Sequence, residues 1–134
     1  MEEAGSVKYP TRVAIVDDDQ QLLLSISGLM RSFGIKALPF QSAEDFFQAG
    51  PPPVDCVIAD IHMPGMNGLT MLEKLREGGS SVPVIILSAL DPETIRAEAL
   101  ARGADAFFSK PADSEDLLDC MVRVVNAREG LDRN

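Results

Sequence analysis

The sequence predicts an α/β protein, a doubly wound parallel sheet covered by helices on both faces, and three observations carry that prediction. Strand-like and helix-like runs alternate five times along the 134 residues. Two strand-like runs, Val54-Asp55-Cys56-Val57-Ile58-Ala59 and Val84-Ile85-Ile86-Leu87, read apolar at nearly every position, as central strands buried on both sides do. Acidic residues stand directly after two of the runs, Asp17-Asp18-Asp19 after the first and Asp60 after the third.

The elements follow in order. Arg12-Val13-Ala14-Ile15-Val16 is the first strand, and its helix, about 20–32, places Leu22, Leu23, Ile26, Leu29, Met30 and Phe33 at helical spacing before Gly34 ends it. The second strand, about 35–38, carries Lys36 between apolar neighbours, which suits a solvent-exposed edge. Ser42 offers an N-cap to the next helix, with Asp45 placed for a reciprocal bond, Phe46 and Phe47 as its apolar face, and Gly50-Pro51-Pro52-Pro53 as its stop. The third strand is about 54–59, and its helix, about 68–76, sets Leu69, Leu72 and Leu75 inward. A fourth strand at about 84–87 and a helix at about 92–102 follow, then a fifth strand at about 106–109. Ser114 caps a last helix with Leu117, Leu118, Met121, Val122 and Val125 inward. Residues 1–10 read as a disordered tail, 11–128 as one domain and 129–134 as a frayed end.

Composition bounds the function. At 46% hydrophobic and 25% charged the chain is globular, and one domain of this length buries one continuous core. A net charge of −9 repels a phosphate backbone, which argues against direct nucleic-acid binding and favours divalent cations and basic partner surfaces. No stretch approaches the roughly 18 apolar residues that span a bilayer, and the first six residues do not resemble a secretory signal, so the expectation is a cytoplasmic protein with no membrane contact. Cys56 and Cys120 lack the short spacing of a zinc or redox site and are expected to be buried and reduced. The one histidine, His62, cannot form a multi-histidine metal site.

If the first and third strands are parallel neighbours, three or four carboxylates meet at one sheet edge, where their repulsion calls for a cation. An Asp triplet after a strand is, taken alone, a solvated helix cap; its convergence with Asp60 points instead to a metal site, with Asp19 left as the cap. Ser88 and Lys110 also stand at strand ends, and ligands of open α/β sheets bind outside the carboxyl ends of strands.

Four motifs in order, Val16-Asp17-Asp18-Asp19, Asp60-Ile61-His62-Met63-Pro64-Gly65-Met66-Asn67-Gly68, Ser88-Ala89 and Phe107-Phe108-Ser109-Lys110-Pro111, carry a resemblance over about residues 11–127 to the receiver domain of bacterial two-component response regulators. The resemblance implies a flavodoxin-like sheet of five strands in order 2-1-3-4-5 with five helices. It makes Asp60 the acceptor of a phosphoryl group from a sensor histidine kinase. Asp17, Asp18, Asp60 and the backbone carbonyl of His62 would hold Mg²⁺, with Mn²⁺ a possible substitute. Lys110 and Ser88 would contact the phosphoryl oxygens, and Ser88 and Phe107 would be the switch pair. Phe107 has no phenolic hydroxyl, so its switching would work by packing alone.

Further expectations rest on the same likeness. Pro111 follows a cis peptide in relatives, Ala112 departs from a bulkier apolar residue, and apolar Leu90 offers nothing to orient an attacking water, which implies a long-lived phosphorylated state. The face made by the fourth helix, fifth strand and fifth helix would mediate homodimerisation or output. The wording around Gln41-Ser42-Ala43-Glu44-Asp45-Phe46 is similar to receivers that precede a helix-turn-helix domain, so a DNA-binding domain downstream in a longer protein is expected. Such a domain is no enzyme beyond its own phosphotransfer and dephosphorylation. The alternatives are a phosphorylation-independent interaction module and a metal-dependent phosphohydrolase; the latter's second Asp, two residues after the nucleophile, is here His62.

Overall fold

The computed structural model describes residues 9–50, 53–89, 92–110 and 113–133. Five strands, β1 Arg12–Val16, β2 Lys36–Phe40, β3 Cys56–Asp60, β4 Val84–Ser88 and β5 Ala106–Ser109, form one sheet in the order β2-β1-β3-β4-β5, with every pairing parallel. They alternate with α1 Gln20–Ser32, α2 Ala43–Gln48, α3 Gly68–Glu77, α4 Pro92–Ala101 and α5 Ser114–Arg133. The expected strand order and helix number are both found.

Because strand side chains alternate with period two, each central strand feeds two separate apolar layers. Val13, Ile15, Cys56, Ile58, Ile85 and Leu87 face α1 and α5, where Leu23, Ile26, Met30, Leu117 and Met121 cover them. Ala14, Val16, Val57, Ala59, Val84 and Ile86 face the other layer, built from Phe46 of α2, Leu69, Leu72 and Leu75 of α3, and Ala99 of α4. Each fully buried Leu, Ile or Phe contributes roughly 1.5–3 kcal/mol, so two filled layers hold the central strands rigidly. Cys56 and Cys120 are both free thiols buried in the first of these layers. Among the described residues, no helix is long and apolar enough to cross a membrane.

Several boundaries move by a residue or two, and each shift has a local cause. β2 runs to Phe40 and accommodates Pro39, which an edge strand permits because one row of its amides faces solvent. β3 starts at Cys56; Asp55 stands before it and accepts from the Thr11 N–H at 2.7 Å and the Thr11 hydroxyl at 2.9 Å, fastening the start of β1 to β3. Both β3 and β4 extend one residue further than expected, so Asp60 and Ser88 are the last residues of strands. On α1, Leu23, Ile26 and Met30 are buried, whereas Phe33 is its C-cap and is 42% exposed. The backbone of α5 is helical to Arg133, through most of the segment expected to fray.

The end of the sheet opposite Asp60 is tied by charge. Arg76 of α3 donates to the carbonyls of Gly103 (2.8 Å) and Val82 (2.9 Å) and to Asp105 (3.1 Å), and Arg128 of α5 donates to the same Asp105 at 2.9 Å. One carboxylate thus joins α3, α5 and the entry to β5.

Candidate functional site

β2 lies on one side of β1 and β3 on the other, so the chain reverses its winding at the gap between β1 and β3. The loops leaving the two strands diverge there and open a crevice. Asp17 follows β1 directly and Asp60 ends β3, so both border it.

Asp17 is buried at 2% exposure and Asp60 at 6%, while Asp18 is exposed. One carboxylate oxygen from each of the three lies within 4.8 Å of the others. Asp17 is fixed from two sides: Oδ1 accepts the Asp19 N–H at 2.9 Å and Oδ2 accepts from Lys110 Nζ at 2.9 Å. Asp19 in turn caps α1, accepting from the amides of Gln21 and Leu22. Lys110 Nζ also lies 3.4 Å from Asp60 Oδ1.

The electrostatics are unbalanced. Burial, followed by the charge of Asp17, raises the pKa of Asp60 above its ordinary value, and Lys110 only partly offsets this. Burial alone would lower the pKa of Lys110, but its hydrogen bond to Asp17 and the charge of Asp60 lift it, so the ammonium persists. Three carboxylates cluster here, two of them beside the one Lys110 ammonium, and the donors are all oxygens. Such a set can hold a hard divalent cation, and the exposure of Asp18 leaves one side open.

Ser88 is fully buried at the end of β4, and its carbonyl accepts the Lys110 N–H at 2.8 Å, which seats Lys110 beside the strand end. His62 is exposed on the loop after β3, between buried Ile61 and Met63. Phe107 points inward at 3% exposure, with the Arg96 guanidinium of α4 5.4 Å from its ring centre. Asp17, Asp18, Asp60 and Lys110 are therefore brought together, Ser88 joins them through the Lys110 backbone, and Phe107 sits in the core layer behind. Leu90, Pro111, Ala112 and the tail 1–8 lie outside the described residues.

The loop after Asp60 is more constrained than its sequence suggests. Gly65 has φ 79°, as the third residue of a Met63-Pro64-Gly65-Met66 turn requires. The Met66 N–H donates to Glu44 of α2 at 2.8 Å, and Asn67 caps α3 by accepting the Thr70 N–H at 2.9 Å. Gly68 donates to the Ile61 carbonyl at 3.1 Å, and a Cβ on it would stand 2.2 Å from the Asp60 carbonyl oxygen. Sequence reading missed Glu44 and Arg96, whose partners lie far along the chain. Beside the site, a cleft of about 490 Å³ is lined by Asp19, Leu22, Leu29, Ala89, Lys110 and Ser114, among others.

Comparison with known proteins gives a consistent result. The family model described as "Response regulator receiver domain" matches residues 13–122. The response regulator protein TmoT of Ectopseudomonas mendocina is 39% identical over 119 residues, covering 88% of this chain and 52% of that protein. The transcriptional regulatory protein TdiR of Thauera aromatica is 35% identical over 132 residues, covering 98% of this chain and 56% of that protein. The chain thus spans about half the length of these curated relatives. Among solved structures, the Francisella response regulator 1452 receiver domain superposes with a TM-score of 0.82 at 27% identity, covering 88% of this chain and 98% of that one.

Proposed function

The chain belongs to the response regulator receiver domain family, whose members accept a phosphoryl group on aspartate and partner with sensor kinases, and on that footing we propose that Asp60 is the acceptor in this protein. The reading rests above all on the cluster of Asp17, Asp18 and Asp60 at the crevice between β1 and β3, with the Lys110 ammonium beside Asp17 and Asp60. The donor is a phosphohistidine of a sensor histidine kinase. An Asp60 carboxylate oxygen forms a bond to phosphorus as the imidazole N–P bond breaks, its electron pair returning to the ring nitrogen, which takes up a proton.

Such transfer asks the protein for positioning and for charge neutralisation more than for covalent machinery. Asp17, Asp18, Asp60 and the His62 carbonyl are the oxygens that would hold Mg²⁺, or Mn²⁺ in its place. When bound, the ion neutralises charge on the acceptor and on the phosphoryl group. Lys110 Nζ, already within 3.4 Å of Asp60, can exchange its bond to Asp17 for one to a phosphoryl oxygen. Ser88, one strand over, donates its hydroxyl to another. The cleft between α1 and the start of α5 gives the kinase access to this end of the sheet.

Phosphorylation then biases the face formed by α4, β5 and α5, because Lys110 and Ser88 stand at the ends of β5 and β4, and Phe107 and Arg96 stack on that side. Dimerisation through that face, a DNA-binding domain elsewhere in a longer cytoplasmic protein, and direct interaction of this domain with protein rather than with nucleic acid complete the reading. The test is incubation with acetyl phosphate and Mg²⁺, read by intact mass. Wild type should gain one phosphoryl group and Asp60→Ala none. A wild-type chain that never gains it points to an interaction module, and continuous phosphate release from small phosphoesters points to a hydrolase.

A further inference from the structure

Glu44 stands 22 residues upstream of the Met66 amide it binds and belongs to a helix with no other chemistry at the site. α2 is short but well anchored: Ala43 and Phe46 are buried at 0% and 1% exposure, Phe46 stacks edge-on against Phe40 with ring centres 5.4 Å apart, and Ser42 caps the helix through the Asp45 N–H at 3.0 Å. From that platform the Glu44 carboxylate reaches the loop 61–67 and accepts the Met66 N–H at 2.8 Å, a charge-assisted bond. It also lies over Gly65, where a Cβ would meet its Oε2 at 2.5 Å. The base of the same loop is closed by the Gly68 N–H on the Ile61 carbonyl, and the side chains of Ile61 and Met63 are buried. His62 lies between the fixed base and the tip that Glu44 holds.

We propose that Glu44 is a positioning residue that clamps the tip of the loop after Asp60 and so sets the His62 backbone carbonyl for cation binding, an assignment that rests on the function proposed above. In a turn of this type the fourth residue's amide ordinarily closes the turn on its first carbonyl. Here that amide is bound by a side chain from another helix, so the turn is held from outside. Loss of the clamp loosens the tip without touching any carboxylate of the cluster.

Two variants separate acceptance of the hydrogen bond from charge: Glu44→Ala removes both, and Glu44→Gln removes the charge but keeps an acceptor. In the metal-free protein, amide exchange at Met66 should speed up about tenfold or more in Glu44→Ala. In Glu44→Gln, which keeps an acceptor but gives up the charge assistance, the increase should be clearly smaller than in Glu44→Ala. The Mg²⁺ dissociation constant, followed by NMR titration, should rise about fivefold in Glu44→Ala, the equivalent of one hydrogen bond, and recover in part in Glu44→Gln. At saturating Mg²⁺ the rate of phosphoryl uptake should be restored in both. Unchanged Met66 exchange or unchanged Mg²⁺ affinity in Glu44→Ala overturns the clamp. So does equal loss in both variants, which would make the effect one of charge. A wild-type chain that binds no Mg²⁺ sinks the proposed function instead, and the Met66 exchange in metal-free protein still decides whether Glu44 holds the loop.

Discussion

Gly68 begins α3 with its Cα against the backbone of Asp60, so close that any Cβ would stand 2.2 Å from the Asp60 carbonyl oxygen and 3.2 Å from the Ile61 Cα. Both neighbours are main chain and cannot rotate away. Alanine at a helical position gains about 1 kcal/mol in propensity over glycine, yet forcing this contact apart costs about 1–3 kcal/mol and moves Asp60. Gly68→Ala should therefore lower the denaturation midpoint and slow phosphoryl uptake from acetyl phosphate together. A variant as stable and as fast as wild type would show that the contact relaxes freely. The acidic and basic residues of the cluster were legible in the sequence because each stands at a strand end, where the apolar run stops and polar residues become meaningful. The reason for Gly68 was not, since a close approach between two backbones is not encoded in spacing.

The helices are unequally held. α1, α3 and α5 each bury several large apolar side chains, whereas α4 buries Ala99, with Ile95 only partly covered and Leu100 42% exposed. Helical stability in proteins comes mainly from tertiary burial, so α4 is the element most easily opened. Its amides should exchange roughly tenfold faster or more than those of α1 and α3 in the unphosphorylated chain. Protection equal to that of α1 would refute this and would weaken the case for α4 as a moving part. Arg96 over Phe107 is a contact that joins α4 to β5. Its existence depends on how α4 lies on the sheet, which the helical pattern of α4 alone, with its weak apolar stripe, does not specify. Strand boundaries, too, were read a residue short at Asp60 and Ser88, because buried polar residues at a strand end look like the start of a loop.

At the scale of the whole molecule, the chain carries a net charge of −9, and two of its carboxylates, Asp17 and Asp60, are buried side by side. Burial and Asp17 hold the folded-state pKa of Asp60 above its ordinary 3.8, so the folded chain binds that proton more tightly than the unfolded chain does. Stability from this group is full below pH 3.8 and is lost as the pH rises through the raised folded value. Metal-free Asp60→Asn should therefore melt above wild type at neutral pH, with the gap closing as the pH falls toward 3.8. Mg²⁺ at ten times its dissociation constant should stabilise wild type by about 1.4 kcal/mol and the variant by less. Thermal melts across pH, with and without Mg²⁺, measure both. A gap that ignores pH would remove Asp60 as the source of the strain.

What the sequence determined by itself is the layer plan and the chemistry of one sheet edge. Alternating apolar periods specify strands and helices, fully apolar runs specify central strands, and a helix between each pair of successive strands supplies the long crossover that parallel pairing needs. Four motifs at strand ends then identify the family. What only the tertiary structure decided is the second circle around Asp60, namely Glu44 on the loop tip, Gly68 against the Asp60 backbone and Arg96 on Phe107, and, at the opposite end of the sheet, Asp105 shared by Arg76 and Arg128. Each of these joins elements that are separate in the chain. Whether such side chains meet depends on how helices dock on the sheet, a property of the packed whole rather than of any local pattern.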